Sequence, residues 1–256
     1  MRIVPVACLK DNYAYLLVTR EGDAAIVDAS EAAPVRDALR RQGVRARAIW
    51  STHHHWDHVG GNLELSNELG IEVVGHASDR ERLPGLTRGV DTGDVVRVGD
   101  VEARCIHIPG HTLGAVAYYV DDAGERAVFT GDTLFAAGCG RLFEGTPAQM
   151  HASLSSLVAL PGDTRVFCGH EYTQSNLRFA AHVEPSNADV RRAQVRGAEL
   201  RGRGDPTVGT TLDEEQCTNP FLRVRSEEIR ATLGIARDAD DAAALGSIRA
   251  AKDSFR

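Results

Sequence analysis

Short apolar runs separated by turn residues occupy the first two-thirds of the 256-residue chain. Runs of this length with flanking turn residues predict β-strands. The predicted strands are RIVPVAC, YAYLLV, AAIVDA, RAIWST, IEVVG, VVRVGD, VEARCIHI, AVAYYV, RAVFTG and TRVFCG. Apolar residues at helical spacing predict helices at residues 33–42, in NLELSNELG and in PAQMHASLSSLVAL. This alternation is typical of an α/β protein.

The pattern changes after about residue 172, where polar segments with helical spacing replace the strands. The predicted helices are QSNLRFAAHVEP, NADVRRAQVRGAELRGRG, SEEIRATLG and DADDAAALGSIRAAKDSF. We therefore predict a strand-rich domain over residues 1–172 and a helical domain over residues 173–256. The chain contains no internal repeat and no low-complexity tract.

Composition narrows the class of protein. Hydrophobic residues make up 43% and charged residues 25%, which is the balance of a globular protein with a sizeable core. The net charge of −7 opposes a nucleic-acid partner, since phosphate contact needs a basic face. No apolar run approaches the roughly 20 residues of a membrane span. Polar residues at 10–12 interrupt the apolar N-terminal segment, so we expect no signal peptide.

The five cysteines are far apart and form no CxxC motif. This usage favours a reducing compartment over a disulfide framework. We therefore expect a cytoplasmic protein. We also expect a monomer without a membrane partner. Cys139 and Cys168 are expected to pack in the interior rather than to react.

The strongest chemical signal is STHHHWDHVGGN at residues 51–62. His53, His55 and Asp57 alternate, so in an extended segment their side chains face the same way. His58 follows directly and can serve a neighbouring centre. His54 is expected to face away. Clustered imidazole and carboxylate groups of this kind indicate a metal site.

Three later segments repeat one arrangement, in which an apolar strand is followed by glycine and then by a ligand residue. They place His111 after CIHIPG, Asp132 after AVFTG and His170 after VFCG. Glycine permits a sharp turn and a close backbone approach. Four strand ends that meet at one sheet edge would form one site. The seven candidates are enough for two metal ions, and Asp132 is the natural bridge because it comes from an independent strand.

The remaining histidines have no partner motif. We expect structural or exposed positions for His76, His107, His151 and His182. A single histidine is more often a satisfied core or surface residue than a metal ligand.

Four motifs together, THHHWDH, PGHT, TGDTLF and CGHEYT, resemble the metallo-β-lactamase superfamily. Four further segments, LKDNYAYLL, GCGRLFEGT, TNPFLRVR and RAAKDSF, resemble the glyoxalase II (hydroxyacylglutathione hydrolase) family. The resemblance covers nearly the whole chain. It implies an αββα sandwich with a C-terminal α-helical domain.

The same resemblance implies a dinuclear metal centre. By resemblance, His53, His55 and His111 hold one ion, the second ion has its own three ligands, and Asp132 bridges the two. The second set is Asp57, His58 and His170. Zinc is expected, with iron and manganese as alternatives, because nitrogen and oxygen ligands suit all three metals.

The resemblance also implies the substrate and the reaction. The family hydrolyses S-(2-hydroxyacyl)glutathione, chiefly S-D-lactoylglutathione, in methylglyoxal detoxification. Asp57 and Asp132 are the expected catalytic residues. The expected substrate contacts are Arg141, Phe143, Tyr172, Arg249 and Lys252. Arg141 stands where lysine is frequent and Phe143 where tyrosine is frequent, so one hydrogen bond to the substrate is expected to be absent.

Several other functions use similar ligands. A persulfide dioxygenase of the same superfamily uses one iron, which would leave His58 and the second ligand set without a role. A β-lactamase or lactonase would have no use for Arg249 and Lys252. A nuclease should carry a basic surface. A non-catalytic metal module is usually closed by four ligands, whereas this chain offers seven.

Overall fold

The computed structural model describes residues 1–255. The chain folds into two compact units. The first unit contains Met1–His107 and Gly114–Gly131. The second contains Ile108–Leu113 and the stretch from Asp132 onward.

A six-stranded sheet forms the larger layer of the first unit, with its strands in chain order. The strands are β1 (Arg2–Cys8), β2 (Asn12–Val18), β3 (Asp23–Val27), β4 (Arg45–Trp50), β5 (Glu72–His76) and β6 (Arg88–Val90). The first three strands pair antiparallel, and β3 to β6 pair parallel. Because parallel neighbours need crossover connections, helices follow β3 and β4.

The remaining strands of the first unit pair antiparallel in the order β10-β9-β8-β7. They are β7 (Val95–Val98), β8 (Val101–His107), β9 (Val116–Asp122) and β10 (Glu125–Gly131). The rings of Trp50 and Tyr118 stack with centroids 5.4 Å apart, which packs this sheet against β4. The Tyr118 hydroxyl donates to the Ser51 carbonyl at 2.9 Å, so its polar end is also satisfied.

Three α-helices and one 3₁₀ helix complete the first unit. They are α1 (Ala32–Gln42), α2 (Trp56–Val59), α3 (Asn62–Leu69) and the 3₁₀ helix Ala77–Asp79. Helix α1 packs its apolar stripe of Val35, Ala38 and Leu39 into the core, and it also contacts β1. The sequence pattern predicted both α1 and α3, and both helices end at a glycine as expected.

The second unit is mainly helical. Its short strands are β11 (Leu134–Phe135), β12 (Gly138–Cys139) and β13 (Arg165–Cys168). Its helices are α4 (Pro147–Val158), α5 (Thr173–Val183), α6 (Ala188–Gly202), α7 (Leu212–Thr218), α8 (Glu227–Leu233) and α9 (Asp241–Ser254). Helix α4 begins with a capping box between Thr146 and Gln149, with Pro147 in the first turn.

The elements that the sequence pattern missed are short or weakly patterned. They are β6, the one-turn helix α2, the 3₁₀ helix, the hairpin of β11 and β12, and helix α7. A strand of two or three residues offers too few positions to show an alternation, and α7 carries a run of acidic residues instead of an apolar stripe. Among residues 1–255, no helix is both long enough and apolar enough to cross a membrane.

Candidate metal centre

The first unit gathers four of the predicted ligands in the loop that follows β4. His53 and His58 are buried, and their ring centroids lie 4.2 Å apart. His53 Nε2 lies 3.1 Å from His55 Nδ1. His58 Nε2 lies 3.8 Å from Asp57 Oδ2. The one-turn helix α2 folds the chain back after His55, and this return brings His58 against His53.

Asp28, which was not among the residues predicted from the sequence, organises this loop. Its Oδ1 accepts from the Thr52 backbone N–H at 2.7 Å, and its Oδ2 accepts from the Thr52 hydroxyl at 2.7 Å. Oδ2 also lies 3.0 Å from His58 Nδ1. A carboxylate at this distance holds the proton on Nδ1 and leaves the Nε2 lone pair available to a metal. Asp28 directly follows strand β3 and so shares the position of the predicted ligands, but that position alone does not distinguish a supporting residue.

Asn12 holds the carboxylate of Asp57 and was also missed. Its side-chain amide donates to Asp57 Oδ2 at 3.0 Å and to the Asp57 carbonyl at 3.0 Å. Asn12 is buried and begins β2. The amide therefore orders both the side chain and the backbone of a predicted ligand.

His54 does not join the other histidines of the loop. Its Nδ1 lies 3.2 Å from Oδ2 of Asp79, a fully buried carboxylate that also accepts from Arg82 at 2.5 Å. This pairing anchors the loop between His53 and His55 from the opposite side. The placement agrees with the expectation that His54 faces away.

The second unit contains the other three predicted ligands, with Asp132 between His111 and His170. Asp132 Oδ2 lies 3.5 Å from His111 Nε2 and 3.2 Å from His170 Nε2. All three side chains are buried. Asp132 Oδ2 thus faces one nitrogen of each imidazole. This is the arrangement expected of a carboxylate that is shared between two groups of metal ligands.

The tautomer of His111 is set by the backbone. Its Nδ1 lies 2.8 Å from the Arg141 carbonyl oxygen, which can only accept a hydrogen bond. The proton therefore lies on Nδ1, and Nε2 presents its lone pair toward Asp132. Glycine at position 140 leaves room for the backbone of Asp132, because a Cβ there would lie 1.9 Å from the Asp132 carbonyl oxygen.

Gly131 permits the turn that delivers Asp132. Its φ of 49° lies in the left-handed region, and a Cβ there would lie 2.2 Å from the Thr52 hydroxyl oxygen. Glycine is thus required at the end of β10 for both conformation and space.

The donor chemistry fits divalent metal ions. The 3.1 Å between His53 Nε2 and His55 Nδ1 is close to the ligand separation of roughly 3.3 Å in a tetrahedral site with Zn–N bonds of about 2.0–2.1 Å. Imidazole nitrogens and carboxylate oxygens suit zinc, iron and manganese. The His and Asp clusters indicate binding of two metal ions, and the donor set does not identify the metal.

The residues expected to contact substrate near these ligands are exposed. The Tyr172 ring stacks on His170 with centroids 4.6 Å apart and planes 4° apart. Phe143 is 62% exposed, and its ring centroid lies 5.2 Å from that of His111. Arg141 is exposed, with its Nε 3.5 Å from Asp253 Oδ1. Three candidate contact residues therefore lie on or beside the metal-ligand loops of the second unit.

Arg249 and Lys252 lie one turn apart on α9 but have different surroundings. Arg249 is only 7% exposed, and it donates to the Cys139 carbonyl at 2.7 Å and to Asp253 at 3.1 Å. Lys252 is half-buried and donates to the Ser175 hydroxyl at 3.1 Å. Burial, together with the nearby charge of Arg249, lowers the pKa of Lys252. Lys252 is thus the more accessible cation of the pair.

The buried cysteines are unsuited to nucleophilic chemistry. Burial raises the pKa of the Cys139 thiol to about 11 and that of Cys168 to about 12. A thiol becomes a strong nucleophile only as the thiolate. All five cysteines are free, which agrees with the expectation that they form no disulfide framework.

The fold and the ligand set define a metal-dependent protein of the metallo-β-lactamase superfamily, whose family model matches residues 10–170. A second family model, for the hydroxyacylglutathione hydrolase C-terminus, matches residues 171–255. The hydroxyacylglutathione hydrolase of Methylococcus capsulatus is 49% identical over 257 residues, covering 100% of this chain and 99% of that protein. The chain therefore belongs to the hydroxyacylglutathione hydrolase family.

Solved structures agree with this fold. ETHE1 from Myxococcus xanthus is similar with a TM-score of 0.67 and 25% identity, over 98% of this chain and 100% of that one. TTHA1623, crystallised in a di-iron-bound form, is similar with a TM-score of 0.59 and 30% identity. It covers 87% of this chain and 100% of its own. The predicted metallo-β-lactamase fold with a C-terminal helical domain is confirmed.

Proposed function

We propose that this protein hydrolyses S-(2-hydroxyacyl)glutathione thioesters, chiefly S-D-lactoylglutathione, to glutathione and a 2-hydroxy acid such as D-lactate. The observation that carries the proposal is the 49% identity to a hydroxyacylglutathione hydrolase along the full length of both chains. The C-terminal family match extends it to the helices expected to bind glutathione. Family membership makes the chain a metal-dependent thioester hydrolase.

Seven side chains hold two divalent metal ions in this proposal. His53, His55 and His111 would hold one ion, Asp132 would be shared by both, and the other ion would have three further ligands. These are Asp57, His58 and His170. The carboxylate beside His58 and the carbonyl beside His111 support this assignment, because each leaves the Nε2 lone pair free for a metal. Zinc is the proposed metal, with iron and manganese as alternatives.

The bound ions supply an activated water at neutral pH and a Lewis acid for the thioester carbonyl. The protein residues provide position and charge. Asp57 orients the attacking water, and Asn12 keeps its carboxylate in place by donating to Oδ2. Asp132 contributes a second carboxylate between His111 and His170. The leaving group is a thiolate, which needs no protein acid for its departure.

Substrate binding is assigned to residues of the second unit. Lys252 offers the accessible positive charge for the glycine carboxylate of glutathione, and Arg249 supplies a second positive charge from beneath the surface. Tyr172, Arg141 and Phe143 contact the remainder of the substrate. Phe143 provides apolar contact without the hydroxyl of a tyrosine, so the peptide part of the substrate has one hydrogen bond fewer.

The two proposed domains follow the family matches, which meet between residues 170 and 171, close to the proposed boundary after Tyr172. Residues 1–172 form the catalytic domain and residues 173–256 the substrate-binding domain. We place the reaction in methylglyoxal detoxification by a cytoplasmic monomer that binds neither nucleic acid nor membranes. The net charge of −7 and the free cysteines support this assignment.

The test uses the purified full-length protein. Metal ions per chain are counted by elemental analysis, and S-D-lactoylglutathione hydrolysis is followed before chelation, after chelation and after zinc is restored. We expect two ions per chain and thioester loss that stops with chelation and returns with zinc. Oxygen uptake with glutathione persulfide, in the absence of thioester hydrolysis, would identify the dioxygenase alternative instead.

A further inference from the structure

A second group of metal-ligand side chains lies in the first unit, outside the seven residues above. His76 ends β5, Asp91 follows β6 and His107 ends β8. One nitrogen or oxygen from each of the three lies within 4.8 Å of the others. The sequence alone predicted structural or exposed positions for both histidines. The tertiary structure brings them together from two different sheets.

His76 directs a buried nitrogen toward this group. The residue is 7% exposed, and its Nε2 has no hydrogen-bond partner among residues 1–255. The nearest carboxylate oxygen, Asp91 Oδ1, lies 3.6 Å away, beyond hydrogen-bond distance. A buried polar atom without a partner is unfavourable, so an additional ligand at Nε2 would remove a cost of folding.

The other nitrogen of His76 contacts Ser78. Nδ1 lies 2.7 Å from the Ser78 hydroxyl oxygen and accepts the Ser78 backbone N–H at 3.3 Å, so the free neutral ring carries its proton on Nε2. A metal ion at Nε2 would displace that proton, and the Ser78 hydroxyl oxygen can accept from Nδ1 if the proton moves there. Burial, and then the proximity of His107, lowers the pKa of His76 and favours the neutral ring that a cation requires.

Asp91 offers the site a negative charge and a side chain that solvent can reach. Its carboxylate is exposed, and a hydrogen bond from the Thr92 backbone N–H keeps its pKa below the usual value. The carboxylate is therefore ionised at neutral pH. An exposed ligand next to a buried one gives an ion a route from solvent.

We propose that His76, Asp91 and His107 bind a transition-metal dication of the zinc class, at a site separate from the dinuclear centre. Two imidazoles and one carboxylate suit zinc, copper or nickel better than magnesium or calcium. The His76 and His107 rings are stacked, with centroids 4.1 Å apart and planes 17° apart. Because a shared ion lies in the plane of each ring, binding turns the half-buried His107 ring out of the stack.

An ion at this site joins the two sheets of the first unit, since β5 belongs to one and β8 to the other. Binding to the folded state alone raises the melting temperature. At an ion concentration ten times the dissociation constant, the expected rise is about 3 to 6 °C for a protein of this size.

The test dialyses the metal-loaded enzyme against Zn²⁺ and compares bound zinc and melting temperature among variants. The wild type should bind one more equivalent than His107→Ala or Asp91→Asn, and only the wild type should show the zinc-dependent rise. Ser78→Ala keeps all three ligands and should bind the extra ion about 10-fold more weakly. His182→Ala removes an exposed histidine outside the group and should match the wild type.

Copper provides a spectroscopic measurement that does not depend on stability. In the electron paramagnetic resonance spectrum of added Cu²⁺, the wild type should show coupling to two imidazole nitrogens. Asp91→Asn and His107→Ala should take up less copper at this site and should show a weaker signal of this kind. Asp91 is exposed, so Asp91→Asn should fold even if His107→Ala does not. Equal extra zinc and equal thermal response in the wild type, Asp91→Asn and His107→Ala would overturn the proposal.

Discussion

The carboxylate of Asp28 lies 3.0 Å from Nδ1 of His58, and both side chains are buried. The same carboxylate accepts two hydrogen bonds from Thr52, whose hydroxyl lies 3.0 Å from His53 Nδ1. One acid therefore sets the orientation of two histidines that we assign to different metal ions. The residues that hold the ligands matter here as much as the ligands themselves.

Asp28→Asn should weaken the metal centre without removing a ligand. The new amide would present an N–H to His58 Nδ1, which shifts the ring proton to Nε2 and blocks the ligand lone pair. Loss of such a partner typically costs 10- to 100-fold in metal affinity, and we expect about that loss for one of the two ions. Competition with a chromogenic chelator measures it. Asp37→Asn, on the exposed face of α1, is the control and should leave affinity unchanged.

His58→Ala should reduce occupancy from two metal ions to about one per chain. In our assignment His58 binds only one of the ions, so the other keeps its ligands. Elemental analysis of the purified variant gives the count, with His182→Ala as a histidine control that should retain both ions. Two ions in His58→Ala would show that the grouping of ligands is wrong.

Lys252→Met and Arg249→Met should separate substrate binding from structure. Lys252 carries the accessible charge, so its loss should raise KM for S-D-lactoylglutathione about 10-fold, the effect of one charged hydrogen bond. The melting temperature should change little. Arg249→Met should also lower the melting temperature, because the buried Cys139 carbonyl loses its donor. Steady-state kinetics and thermal unfolding, measured on the same samples, distinguish the two roles; identical profiles would contradict them.

Asn219 holds the hairpin of β11 and β12, which leads from Asp132 to Arg141. Its buried amide nitrogen lies 2.9 Å from the Gly138 carbonyl oxygen and 3.2 Å from that of Phe135. Asn219→Ala leaves these buried acceptors without their donor and should reduce the free energy of unfolding by about 2 to 4 kcal/mol. Asn187→Ala, which removes the N-cap of α6, should cost about 1 kcal/mol. Denaturant unfolding compares them, and equal losses would argue against a special role for Asn219.

Glu215 should make stability depend on pH. Burial raises the pKa of this carboxyl group to about 7, although Thr210, Ala137 and Asn219 donate to it. The unfolded chain releases this proton near pH 4.5. The folded chain holds more protons between those values, so its free energy of unfolding falls as pH rises from about 4.5 to 7.

The matched variant is Glu215→Gln, which cannot ionise. The difference in unfolding free energy between wild type and variant should shift against the wild type by up to about 3 kcal/mol across that window. Denaturant titrations at pH 5 and pH 8 measure the shift. A constant difference at both pH values would mean that Glu215 titrates alike in the folded and unfolded chains.

Most long elements were predictable from the sequence because they follow local patterns. Strands β1 to β5 are short apolar runs bounded by turn residues, and helices α1, α3 and α4 carry apolar residues at helical spacing. The hairpin of β11 and β12 follows no such pattern, because two-residue strands show no period. Its conformation depends on side chains from distant helices, among them Asn176, which donates to the Ala136 carbonyl at 3.0 Å.

The candidate ligands were identified from their residue types and from their position just after an apolar run. His53, His111 and His170 all have this local signature. Asp28 has it too, but one aspartate after one strand is common and does not distinguish a ligand from a supporting residue. The resemblance to a known family assigned each ligand to an ion, which spacing alone could not do.

The sequence by itself determined the order of most long elements, the family and the residue types available to a metal, because these depend on local patterns and motifs. Only the tertiary structure decided which ring nitrogen His58 and His111 present, since that depends on Asp28, 30 residues from His58, and on Arg141, 30 residues from His111. It also separated Arg249 from Lys252. Two residues one turn apart on a helix are expected to share a face. Packing decides which of the two charges is buried and which remains within reach of a ligand.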